Sequence, residues 1–554
     1  RGRERGPFQV AWEVGDGDLA PEAGDEAGPS GRAGSVMGAA LLLAGSTVGA
    51  GALALPQVAA PAGFPATAAA LTGAWGLLTA EALLLAEVCL TMMRERNADR
   101  EEHGRAATSA SVSLRAMAGR TLGPLGSACV APVYVLSSVA LLVAYVAKAG
   151  EVLGGVSGLP REAAGGLFVA ALGGMMFAGG TVRLSPPPVP PAPAPPPPVP
   201  PSRPQSSVPP QPSPTRSMTG SRRLTPPRQA LTDRVNRPLI GSLLALFLGV
   251  VVSSAPAGHS GYLLEVPEGA VGSAAAALPV FFLALTYHDL VPVICSYLDS
   301  GDPERDAPRV RAALLLGGGL PFLLYLFWSA ATMALVPPGS EVDPLAELTS
   351  GALGAPAAAC AEGFSMLALV TSFLGTTLGF SEFLVAEVRD LSTGAATRTG
   401  LRVPFPLQAW WLRSGLRGTA FAAALAPPML IAAAQPDIFL DATLAAGAYG
   451  NALLYGVFPP LMVHALRRGG LTGRARPEPL TALGLPARGL PAQGLLASAV
   501  GASGAIVLRQ AWSDAEGLLD STQEAPGILA EASTGLVSAV VNGLPMGAPP
   551  WPWQ

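Results

Sequence analysis

Apolar runs of 18 or more residues recur along this chain, each long enough to cross a hydrocarbon core of about 30 Å as a helix. Inside a bilayer every backbone N–H and C=O must find a partner within the protein, which leaves helices and closed barrels as the spanning structures. A barrel needs short segments of alternating polarity, and the sequence has none of that form. Only 13% of the residues are charged, about half the share usual in a soluble domain. The fold class expected is therefore an all-α polytopic membrane protein of about 11 transmembrane helices. Candidate spans fall at 35–58, 64–92, 126–147, 163–182, 238–255, 271–298, 312–336, 362–386, 416–434, 438–466 and 492–510. The last is the weakest, diluted by Ser498, Ser503 and several glycines.

Arginine placement orients these spans. With the N-terminus in the cytoplasm, the even-to-odd connections hold 27 basic residues and the opposite ones only Lys148 and Arg161. The opposite side carries acids instead, among them Glu265, Glu268, Glu341, Asp343 and Glu347. Residues 1–33 are polar and Gly-rich and are expected to form a disordered tail. The chain begins at Arg1 rather than Met, so an incomplete N-terminus is expected. Residues 34–184 make the first part of the membrane core, and 230–468 the rest. Between them, 185–229 is a proline-rich insertion expected to be a disordered cytoplasmic loop, since repeated proline removes backbone donors. Residues 469–514 are a linker and an eleventh span, and 515–554 a C-terminal tail. Residues 103–121 have the composition of a short amphipathic surface helix. Cys89, Cys129, Cys295 and Cys360 form no CxxC pair, so neither a metal site nor a disulfide framework is indicated.

Two spans are interrupted. The first contains GSTVGAG at Gly45–Gly51, three glycines and two hydroxyls that weaken a helix in mid-membrane. The sixth contains LPVFFLALTYHDLVPVI, where Pro279 and Pro292 bracket Thr286, Tyr287, His288 and Asp289. Glycines of this kind also serve close helix packing, and a buried polar cluster also ties helices together. The pairing carries more weight. Spans one and six open the two halves of spans one to ten, and matched interruptions point to a midplane binding site in an inverted-repeat transporter. There a half-helix N-terminus can hold a carboxylate, and free carbonyls at a half-helix C-terminus an ammonium group. The ligand expected is an amino acid. Its side chain needs an apolar pocket, for which Tyr134, Phe281, Phe282, Phe364 and Phe373 lie on suitable spans.

These blocks resemble the hydroxy/aromatic amino acid permease family, the tryptophan/tyrosine permeases of the amino acid–polyamine–organocation superfamily. The resemblance is carried by GSTVGAGALALPQVAAPAGF (Gly45–Phe64), YHDLVPVICSYL (Tyr287–Leu298), FSMLALVTSFLGTTLGFSEFL (Phe364–Leu384) and GAYGNALLYGVFPPLM (Gly447–Met462). It covers 36–470 without the insertion and is nearest the plant and algal branch. It implies a leucine-transporter-type 5+5 inverted repeat plus one extra helix, tryptophan or tyrosine as substrate, and proton-driven symport. It also implies substrate contacts from Ser46, Thr47, Gly49 and Gly51 at the first break, and from Thr286, Tyr287 and His288 at the second.

For coupling, His288, Asp289 and Glu87 are the chosen proton-linked candidates, with Glu81 and Glu382 also available. Span five has no lysine, which removes a lysine acting as a sodium surrogate. The partners expected are an aromatic amino acid, the proton and the lipid bilayer. No cofactor, metal or nucleic acid is indicated. The membrane is the plasma membrane or a chloroplast envelope. An enzyme is disfavoured, since neither HExxH, a paired-aspartate motif nor a GxxxxGK[ST] loop occurs. An amino-acid-sensing receptor or a channel without coupled transport is the alternative.

Overall fold

The computed structural model describes residues 34–103, 113–178, 227–340, 342–351, 353–399, 416–469 and 490–541. The tail 1–33, nearly all of the proline-rich insertion and the linker 470–489 lie outside the described residues. The described residues are helical and contain no strand.

The first span is two helices, α1 (Val36–Thr47) and α2 (Gly51–Ala59). Ser35 caps α1 by accepting from the Gly38 N–H at 3.0 Å. Gly63, at φ 69°, turns the chain into α3 (Gly63–His103). A side chain there would meet Pro267 as well as the strain of that φ. A short α4 (Leu114–Thr121), capped by Ser113, is the described part of the amphipathic stretch. Helices α5 (Gly123–Ser157), α6 (Arg161–Ala178) and α7 (Pro227–Ser254) follow. The sixth span is again divided, into α8 (Ala270–Leu285) and α9 (Val291–Tyr297). Then come α10 (Pro303–Met333), α11 (Pro344–Thr349), α12 (Ala355–Thr399) and α13 (Leu416–Ala434). The tenth span begins as α14 (Phe439–Ala445), is π-wound over Ala446–Val457 and ends as α15 (Phe458–Gly469). The last helix, α16, runs from Leu490 to Val541, well past the apolar stretch and into the expected tail.

Among the described residues each of the eleven candidate spans overlaps a helix. Among the described residues, six helical stretches are long and apolar enough to cross a membrane: 51–96, 123–157, 270–297, 305–333, 355–388 and 493–517. Three shorter apolar helices accompany them, including Val36–Thr47.

Contacts divide the helices into two sets. Helices α1, α2, α3, α8 and α10 pack on one another, and α5, α6, α7, α12 and α13 do the same. The π-wound segment touches α5, α8 and α16. Three of its glycines make those approaches possible. A methyl on Gly447 would run into the Pro279 carbonyl of α8, one on Gly450 into Ser137 of α5, and one on Gly456 into Ser503 of α16. Widened π turns of this kind are uncommon and concentrate at functional sites.

Ion pairs sort by the ends of the bundle. Arg115–Glu387, Arg120–Glu95, Arg309–Asp306 and Arg467–Glu87 sit at even-to-odd connections. Lys148–Glu151 and Arg161–Asp437 sit at the opposite end. That is the arrangement the arginine bias implies, with the N-terminus on the arginine-rich side.

Candidate functional site: two helix breaks

The first break begins where Val48 leaves helical geometry for φ −75°, ψ 108°. A break exposes backbone groups that a membrane cannot solvate, so neighbouring side chains must take them. Tyr325 of α10 donates its hydroxyl to the Thr47 carbonyl (2.9 Å), and just beyond the break Trp328 donates its indole N–H to the Ala52 carbonyl (2.9 Å), which Pro56, lacking an N–H, leaves free. Ser372 of α12 accepts from the Ala50 N–H (3.0 Å). Tyr325 and Trp328 are fully buried. The Ser46 and Thr47 hydroxyls both return to their own helix, donating to the Leu43 carbonyl at 2.9 and 2.7 Å. Gly49 faces the Ser372 hydroxyl.

The second break begins at Thr286 (φ −77°, ψ 126°) and runs through a single tight turn, His288–Leu290. The proline at 292, at the start of α9, suits a helix restart because its missing N–H has no role there. Thr286 satisfies two terminal carbonyls of α8. Its hydroxyl donates to Phe282 (2.5 Å) and its N–H to Leu283 (3.3 Å). The next two carbonyls, of Ala284 and Leu285, end the half-helix. His288 is completely buried and donates from Nε2 to the Leu78 carbonyl of α3 (3.0 Å). A carbonyl only accepts, so Nε2 carries the hydrogen. The imidazole lies between Tyr287 and Tyr455, with centroids 5.3 and 5.1 Å away. Tyr455, on the π-wound segment, also donates its hydroxyl to Asp289.

The two breaks meet. A Cβ placed on Gly51, the first residue of α2, would lie 3.0 Å from the Ala284 Cα near the end of α8. The N-terminus of one half-helix thus abuts the C-terminus of another, bringing a partial positive and a partial negative end to one place. Gly51 stands at this contact and Thr286 follows the end of α8, while Tyr287 lies against Gly318 of α10 and His288 against Leu78 of α3. Ser46 stands exposed at its edge. Trp328 extends the site sideways into an aromatic cluster, 5.4 Å from Phe364 and 5.5 Å from Phe247. Phe281 and Phe282 are buried on α8. Phe373 packs on Phe168 and Tyr134 on Phe383.

The acids of α3 differ from one another. Glu87 receives Nε and Nη2 of Arg467 at 2.9 and 2.7 Å and is committed to that pair. Glu81 receives only the Ser503 hydroxyl, at 3.3 Å. Among the described residues no group of three metal-ligating side chains occurs.

Sequence reasoning missed Tyr325, Trp328, Ser372, Tyr455 and Arg467. The signal for the first two was present, since an aromatic with a polar tip on an apolar span needs a partner for that tip.

The family model for tryptophan/tyrosine permeases matches residues 32–186 and 227–473. Tyrosine-specific transport system 1 of Haemophilus influenzae is 26% identical over 361 residues, 62% of this chain and 72% of that protein. Tyrosine-specific transport system 2 of the same organism is 26% identical over 363 residues, covering 63% and 72%. A tryptophan-specific transport protein from that organism is 26% identical over 39% of this chain and 56% of its own length. The solved manganese transporter of Eremococcus coleocola aligns over 92% of this chain and 94% of its own at 15% identity and a TM-score of 0.47, too distant to bear on function.

Proposed function

The chain belongs to the tryptophan/tyrosine permease family, and from that membership we propose that it carries tryptophan or tyrosine across a membrane in symport with protons, by alternating access. As an integral membrane permease it is not an enzyme. The observation that supports this reading is the abutment of α2 and α8 through Gly51 and Ala284.

The two charges of a zwitterion match the two half-helix ends that meet there. Its carboxylate lies against the N–H groups of Gly49 and Gly51 at the start of α2, where the helix dipole favours negative charge. Its ammonium lies against the Ala284 and Leu285 carbonyls at the end of α8. Thr286, Tyr287 and His288 close the far side, and Ser46 and Thr47 shape the near one. The aromatic side chain meets rings on its own scale around Trp328 and Phe364. Proton coupling acts on the substrate site through the second break, where the candidates His288 and Asp289 share Tyr455 as a neighbour. Glu87, with both oxygens on Arg467, suits the role less well.

The test is uptake of labelled tryptophan and tyrosine into proteoliposomes, with and without an imposed pH gradient. Saturable uptake that the gradient drives uphill is the expected result. Folded protein giving conductance alone, or binding without uptake, would replace the carrier with a channel or a receptor.

A further inference from the structure

We propose that Glu81 carries the coupled proton, and that the π-wound stretch Ala446–Val457 transmits its charge state to the break at Thr286–Leu290; this rests on the transport reading above.

Helix α3 holds two fully buried acids less than two turns apart. Glu87 is neutralised by Arg467. Glu81 has no cation within ion-pair reach among the described residues, and its second oxygen, Oε2, is buried without a hydrogen-bond partner. A bare carboxylate at that depth is costly, and one hydroxyl at 3.3 Å does not offset the loss of water. A carboxyl holding a proton carries no such penalty, and Ser503 serves either form because a hydroxyl both donates and accepts.

The surroundings of Glu81 lead to the substrate site by two short routes. On its own helix, the carbonyl of Leu78, one turn earlier, is the acceptor for His288. Across the interface, a methyl on Gly456 would lie 3.5 Å from Oε2. The adjoining residue is Tyr455, which stacks on His288 and donates to Asp289. The ionisable groups facing this region are Tyr287, His288 and Asp289 from the second break, Tyr455 from the π-wound segment, Tyr134 from α5 and Arg467 from α15. From α16 the facing group is Ser503, which does not titrate. Arg467 is already held by both oxygens of Glu87.

The linkage follows from this packing. When Glu81 loses its proton to water, the carboxylate left behind needs water of its own. Water reaches it only if the π-wound segment or α16 parts from α3. Any such shift at Gly456 moves Tyr455 off His288 and Asp289, and so changes the break. Loss and gain of the proton are the only covalent changes, and both are exchanges with water.

Glu81→Gln keeps the shape and the hydrogen bond to Ser503 while removing the titration. Reconstituted Glu81→Gln should still exchange labelled tyrosine or tryptophan for unlabelled substrate across the membrane, while uphill accumulation driven by a pH gradient falls at least tenfold. Accumulation at the wild-type level overturns the proposal. An infrared measurement tests it without transport. Wild type at neutral pH should give a protonated-carboxyl carbonyl band that Glu81→Gln lacks and Glu81→Asp shifts. A spectrum in which none of the carboxyl bands responds to either substitution also overturns it. Should wild type take up neither amino acid, the transport reading fails, and the infrared result alone decides whether Glu81 holds a proton. Should Glu81→Gln not fold, Glu81→Asp supplies both readouts.

Discussion

Consider removing the charge of Glu87. Its carboxylate is 1% exposed and takes two hydrogen bonds from Arg467, whose side chain is 17% exposed. Glu87→Gln keeps one acceptor but strands a guanidinium that is largely out of water. Breaking one side of a buried pair costs about 3–5 kcal/mol. The lower end applies here. Arg467 keeps some exposure and lies in the last turn of α15, where the helix end favours a cation. We expect a loss of about 3 kcal/mol for Glu87→Gln, and at least as much for Arg467→Met, which leaves the more deeply buried partner alone. The double variant Glu87→Gln/Arg467→Met removes both charges and should be more stable than either single one.

The assay is heat survival of detergent-solubilised protein, scored by the fraction that still elutes as monodisperse material. At about 2 °C per kcal/mol, the lower end of the scaling for large domains, each single variant should lose roughly 6 °C. The sign of the double-mutant term decides the matter, because it does not depend on that conversion. Additive losses in the double variant would refute the reasoning, as would a Glu87→Gln protein within about 1 °C of wild type. If the pair is structural, the double variant also keeps uptake driven by a pH gradient.

Two further expectations follow. Gly51→Ala places a methyl against the backbone of Ala284 and must push α2 and α8 apart by a few tenths of an ångström, so substrate affinity should fall tenfold or more, with a loss in heat survival of about 2–6 °C; binding measured by scintillation proximity checks this. Asp343 caps α11 by accepting from the Leu345 N–H at 2.9 Å, and burial holds its carboxyl above the ordinary range despite that bond and the nearby Lys148. The folded state therefore binds this proton more tightly than the unfolded state, and stability from this group rises as pH falls through the window between the ordinary and the raised value. Asp343→Asn keeps the cap without the charge and should match or exceed wild-type heat survival at neutral pH, the difference closing in acid, whereas Asp343→Ala should lose about 1 kcal/mol.

Composition and residue spacing were enough to locate both breaks, because each has a local cause. Glycines and hydroxyls weaken span one, and two prolines bracket the polar turn of span six. What holds the breaks was hidden, since periodicity assigns a residue to a face and says nothing about which helix lies opposite. Tyr325, Trp328 and Ser372 reach the first break from hundreds of residues away in sequence. The hydroxyls of Ser46 and Thr47 were conspicuous as candidate ligands, yet both do what helical hydroxyls commonly do and bond back to a carbonyl one turn earlier. Hydropathy also misjudged helix length. It marks where lipid ends, so it stopped near residue 92 in α3 and near 510 in α16, while α3 continues to His103 on good helix formers such as Arg94, Glu95 and Arg96, and α16 runs to Val541. The π turns of span ten left no trace that a 3.6-residue period detects, although Gly447, Gly450 and Gly456 supplied the small residues those approaches need.

The bonds at the first break are not equivalent, and the difference constrains how the proposed carrier can move. Tyr325 and Trp328 lie on α10, which packs with α1, α2 and α3. Ser372 lies on α12, which packs with α5, α7 and α13. A rigid displacement of one helix set against the other, as alternating access requires, leaves the two aromatic bonds intact and breaks the single bond from Ala50 to Ser372. The break at Val48–Ala50 therefore travels with α10, which holds the Thr47 carbonyl before it and the Ala52 carbonyl after it. The N–H of Ala50 is the group that changes partner, and it lies at the start of the half-helix to which the substrate carboxylate is assigned. A bound carboxylate can take that N–H over when Ser372 withdraws. Substrate would then stabilise the displaced arrangement by replacing a lost hydrogen bond, which is the differential interaction a ligand needs in order to shift a conformational equilibrium.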